Sequence, residues 1–133
     1  MMVLFDDKLF DSLTAEARED QRLRKNYDLR NSPADTSQRM LNAIEPGSLV
    51  PIHRHRETSE TVVVLRGRVI EKFYDQDYNC EAEYELAANG PVCAINVPVG
   101  KWHSLQSLES GTVILEMKDG PYMPISNEDI FHQ

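Results

Sequence analysis

The feature that most limits what this chain can become is its punctuation. From residue 38 to residue 118, short β-rich runs alternate with turn-forming residues. The runs are QRMLNAI (38–44), TVVVLRG (61–67), VIEKFY (69–74), EAEYEL (81–86), VCAINV (92–97) and TVILEMK (112–118). Between them stand EPGS, DQDYN, ANGP, VPVG and ESG. Many short strands at close spacing, parted by Gly and Pro, predict an all-β sandwich or barrel.

The start of the chain has another character. In DDKLFDSLTAEARED (6–20), Leu9, Phe10, Leu13 and Ala17 recur at helical spacing, which predicts a helix. NSPADTS (31–37) then breaks the pattern. The tail DGPYMPISNEDIFHQ carries two prolines and no strong period. It is expected to lie as a strap across the barrel, with a short helical turn at Asn127 to Phe131. The expected organisation is a helical extension over 1–34, a β-barrel over 35–120 and a C-terminal strap over 121–133. A chain of 133 residues has room for one core of useful size.

Charge and cysteine usage narrow the partners. A formal net charge of −8 repels phosphate backbones, so nucleic acid is not an expected partner. The basic run RLRK, Arg22 to Lys25, reads as a solvated face. The opening MMVLFDDKLF lacks the pattern of a secretory leader, and no stretch is apolar for long enough to span a membrane. Cys80 and Cys93 form no CxxC pair. They read as free thiols, Cys80 near a turn and Cys93 in a buried strand, which suits a cytoplasmic location.

The chemistry gathers in VPIHRHRETSE (50–60), which holds His53 and His55 out of four histidines in the chain. On a strand, His53 and His55 would share a face and Arg54 would point away. RETS would form a turn and bring Glu60, opening the next strand, back beside them. His103 follows a Pro98–Gly100 turn that can swing it into the same place. His132 lies in the tail and is expected to fray, and Trp102 is expected to pack rather than to stack on a substrate.

Gly47, His53, His55, Glu60 and Gly67 stand at the spacing of the first cupin motif, and Pro98-x-Gly100-x-x-His103 resembles the core of the second. Ser107 stands where that motif usually ends in Asn. QRLRKN, SQRMLNAIEPGSLVPIHRH, ETVVVLRG and LEMKDGPY together resemble the WbuC-type cupin metalloproteins, over about Arg22 to Tyr122. Some of these accompany O-antigen polysaccharide gene clusters. The resemblance implies a double-stranded β-helix, the cupin jelly roll, with a short N-terminal helical extension. It also implies a metal held by His53, His55, Glu60 and His103.

Three imidazoles and a carboxylate suit one divalent transition metal: Zn, Fe, Mn, Ni, Co or Cu. Four protein ligands leave one or two positions for water or substrate. The leading expectation is Lewis-acid chemistry on a small polar molecule such as a sugar or sugar derivative, with polysaccharide biosynthesis as the setting. The alternatives are an iron-dependent dioxygenase and a non-catalytic metal- or ligand-binding module. Lys118, Tyr122, Arg56 and Gln38 are candidate substrate contacts. On the strand 112–118, Glu116 and Lys118 share a polar face that points either into the barrel or into water. A homodimer is expected, because jelly rolls have edges and outer faces to cover.

Overall fold

The computed structural model describes residues 2–132, and among these the helix and most strands fall where the pattern placed them. Helix α1 spans Asp7–Glu19. Asp6 caps it, its side chain accepting from the Leu9 amide at 2.9 Å, and so satisfies one of the four free amides of the first turn. Phe10, Leu13, Thr14 and Ala17 form its buried stripe. No helix among the described residues is long and apolar enough to cross a membrane.

Eight strands follow: β1 (Arg24–Asp28), β2 (Ser37–Ile44), β3 (Glu60–Arg66), β4 (Arg68–Tyr74), β5 (Cys80–Ala87), β6 (Ala94–Val97), β7 (Trp102–Ser107) and β8 (Val113–Asp119). They make two antiparallel sheets, one in the order β1-β2-β8-β3-β6 and the other β5-β4-β7. The strands feed two cores, one on each face of the larger sheet. Inward residues such as Ile44, Val62, Val69, Leu86, Leu105 and Ile114 pack between the sheets. The opposite faces of β2 and β8 present Leu41, Ala43 and Val113 to Phe10, Leu13 and Ala17 of α1. The helix therefore covers the outside of the larger sheet and stays out of the interior.

Gly67 joins the two sheets. It is the single residue between β3 and β4 and has φ +85°. A Cβ there would lie 2.8 Å from the Thr112 Cα, so only glycine fits the crossing.

The structure departs from the sequence reading in several places. RLRK is in part the solvated face expected: Arg22 and Lys25 are exposed, while Arg24 is half-buried and opens β1, which pairs with β2 in the register Arg24 opposite Ile44. WHSLQS forms β7. The segment around His53 is not a full strand; it makes isolated bridges to His103 and to Ile130. Cys93 is exposed, as is Cys80, because β6 begins only at Ala94. The polar face of β8 points inward. In the C-terminal segment a 3-10 turn at Asn127–Asp129 leads to Phe131, whose amide donates to the Ile52 carbonyl at 2.8 Å.

Candidate metal centre

The site is assembled by backbone pairing between distant segments. The His53 amide donates to the His103 carbonyl at 3.0 Å, and the His103 amide donates back to the His53 carbonyl at 2.8 Å. The Gly100 amide donates to the His55 carbonyl at 2.8 Å and fixes the turn that delivers β7. From the other side the Arg54 amide donates to the Asp129 carbonyl at 3.0 Å. The histidine segment is thus held between the start of β7 and the C-terminal strap.

His53, His55 and His103 converge, with one candidate ligand atom from each lying within 4.8 Å of the others. The His53–His103 ring centroids are 4.3 Å apart. Nδ1 of His53 lies 2.8 Å from the Pro51 carbonyl, and Nδ1 of His103 lies 2.9 Å from the Lys101 carbonyl. A carbonyl only accepts, so these contacts place the proton on Nδ1 and leave the Nε2 lone pair free. Nε2 of His103 and of His55 are buried without a hydrogen-bond partner. Buried polar atoms normally have partners, and orphaned imidazole nitrogens facing one another are what a metal ion satisfies. Burial, helped by neighbouring His103, pushes the His53 pKa down to about 4, so this ring is neutral and ready to coordinate at pH 7.

Glu60 lies beside the three histidines. Its carboxylate lies 3.4 Å from His55 Nε2 and 3.6 Å from His103 Nε2, and Lys118 Nζ donates to it at 2.9 Å. Burial alone would raise its pKa; contacts with His103 and His55 and the Lys118 charge hold it well below the usual carboxylate range. The residues present therefore fit a divalent transition metal.

The cluster opens on a cavity of about 320 Å³ between the sheets, at the lower end of the size of small-molecule sites. Two further acids face it. Glu71 on β4 is 1% exposed and its Oε2 has no hydrogen-bond partner. Burial, then the charges of Glu60 and Glu116, push its pKa up to about 9. Glu116 on β8 is partly buried and lines the cavity, and burial followed by the Glu60 charge lifts it to about 7. Sequence reasoning missed Glu71 altogether. Its one signal was an acid at a position of β4 flanked two residues away by Val69 and Phe73, the buried face of that strand.

The other sequence candidates separate. Lys118 and Tyr122 line the cavity. Gln38 is buried, its Nε2 donating to the Gly120 carbonyl at 2.9 Å, and it does not line the cavity. Arg56 turns away from the cavity and binds Asp129 at 2.9 Å. Trp102 is buried, with the Arg54 guanidinium 4.7 Å from its ring.

A family model described as Domain of unknown function (DUF6016) matches residues 5–86. Among curated proteins none matches. Solved structures do. The capsular polysaccharide assembling protein CapF from Staphylococcus aureus superposes with a TM-score of 0.64 at 20% identity, covering 84% of this chain and 32% of that one. This chain thus spans about a third of CapF. The Schizosaccharomyces pombe Cnp3 cupin domain gives 0.58 at 14% identity, covering 77% and 67%. Oxalate oxidase in complex with the substrate analogue glycolate gives 0.62 at 12% identity, covering 77% and 54%. At such identities the shared property is the fold, the cupin jelly roll.

Proposed function

This chain belongs to the family described as a domain of unknown function (DUF6016), and we propose that it is a metal-dependent cupin enzyme acting on a small polar molecule of sugar size. The observation that carries the reading is the pair of orphaned Nε2 atoms, on His55 and His103, beside a cavity large enough for a monosaccharide-sized ligand. His53, His55, Glu60 and His103 would hold one divalent ion. When bound, the ion supplies Lewis acidity toward a carbonyl or hydroxyl oxygen. Lys118 keeps Glu60 ionised and oriented. Glu71 enters the cavity protonated and can give a proton. Glu116, poised near neutrality, can take one or give one. Two acids with separated pKa values on opposite walls suit isomerase, epimerase or lyase chemistry.

The fold shared with CapF, whose name refers to capsular polysaccharide assembly, supports a role in surface polysaccharide synthesis, as does the WbuC-type resemblance. Cytoplasmic location and a homodimer belong to the same proposal. The fold shared with oxalate oxidase favours a second reading, oxygen chemistry with iron. Elemental analysis of the purified protein beside a His53→Ala, His55→Ala variant tests the site; about one metal per chain is expected, lost in the variant. Full occupancy in the variant overturns it. Oxygen uptake by the iron-loaded protein with small hydroxy acids selects the second reading.

A further inference from the structure

β1 lies at the edge of the larger sheet, and its basic residues do not simply face water. Arg22, just before it, and Arg24 and Asn26 within it stand at alternate positions, and all three line the cavity that holds the histidine cluster. The neighbours of β1 continue the same wall, since Arg24 pairs with Ile44 and Asn26 with Asn42, and both of these also line the cavity.

The charges in this wall are unevenly matched. Lys118 is already paired with Glu60 at 2.9 Å. Arg24 is half-buried, and its burial lowers its pKa, yet among the described residues it makes no ion pair and no side-chain hydrogen bond. Arg22 has one loose contact, its Nε 3.7 Å from Asp20. Glu116 and Asp20 act on Arg24 only from beyond contact distance, and a half-buried guanidinium without a close hydrogen-bonded partner is costly. Its planar fork fits a carboxylate or a phosphate with two parallel hydrogen bonds.

Across the larger sheet the order is β1-β2-β8-β3. The register sets Arg24 beside Ile44, whereas Glu60 lies on the rung of Lys118 and Gln38, so the arginines line the end of the cavity away from Glu60.

We infer that Arg22 and Arg24, with Asn26, form an anion subsite, and that the ligand of this cavity is a small polyhydroxy acid anion with its carboxylate or phosphate at β1 and its hydroxyls at the histidine cluster. The inference rests on the metal-site reading for the second half of that statement. Neutral sugars would leave Arg24 unpaired and bind poorly.

The test is calorimetric titration of the zinc-loaded protein with glucuronate, glucose 6-phosphate and glucose, with metal content measured on every sample. At least one anionic sugar should bind ten-fold or more tighter than glucose, and which of the two does so identifies the group. Arg22→Gln, Arg24→Gln together should remove that preference while leaving metal content unchanged. Arg24→Lys alone, which keeps the charge and loses the fork, should retain only part of it and serves if the double variant folds poorly. Equal binding of glucose and both anions, or a preference undiminished in both variants, overturns the inference. A protein that prefers anions but holds no metal would instead sink the metal reading and leave the subsite standing.

Discussion

Glu71 carries a carboxyl group that is buried at the cavity wall, with no hydrogen-bond partner for Oε2. Its pKa rises from 4.5 to about 9, so the folded chain holds a proton that the unfolded chain releases above pH 4.5. Stability is then largest below pH 4.5 for this group and falls as pH rises toward 9, by up to about 1.4 kcal/mol per pH unit. Glu71→Gln should flatten that slope, so urea midpoints of the metal-free variant should exceed those of the parent at pH 8 and approach them at pH 5. Parallel midpoint curves would contradict the buried, protonated acid. His53 works with the opposite sign. Its pKa of about 4 against 6.5 means stability is intact above pH 6.5 and is lost as pH falls through 4. The histidines were legible in sequence because their spacing is a rule about strands and turns. Glu71 was not, because an acid on a half-buried strand reads the same whether its face meets water or a cavity. Arg24 was hidden likewise, inside a run whose charge suggested solvent.

At the scale of elements, the strands that could be read were those whose residues alternate between buried and more exposed, such as β3 and β4. β1 was missed because an edge strand beside a polar cavity has no apolar face to display. β7 was missed because five of its six residues are buried, so WHSLQS shows no alternation. Helix α1 was legible and is separable from the site. Leu13→Ala removes a buried contact with Leu41, Ala43 and Val113 and should cost about 3 kcal/mol with metal content unchanged. Metal loss from a folded Leu13→Ala protein would show that the outer core reaches the site. Gly67→Ala combines a left-handed backbone with the close approach of Thr112 and should cost more than about 2 kcal/mol, read as a lowered Tm. The strap has a charged latch: hydrogen bonds from Arg56, then Arg54, hold the Asp129 pKa down to about 2.

In the whole molecule the candidate ligands do not belong to one wall. Glu60 opens β3 in the larger sheet, His103 lies in β7 in the smaller one, and His53 and His55 sit on the segment between β2 and β3 that bridges to both β7 and the strap. An ion held by all four would tie the two sheets together at this end of the sandwich. Binding to the folded chain alone stabilises it by mass action, by about 4 kcal/mol when free metal exceeds Kd a thousand-fold. Tm should therefore climb with added zinc or cobalt and drop to a fixed floor with chelator. His55→Ala should lose the climb. Its floor should lie close to that of the chelated parent, since the change also removes a buried Nε2 that has no partner without metal. If chelation strips the metal and Tm does not move, the ion has no preference for the folded chain and does not brace the sheets.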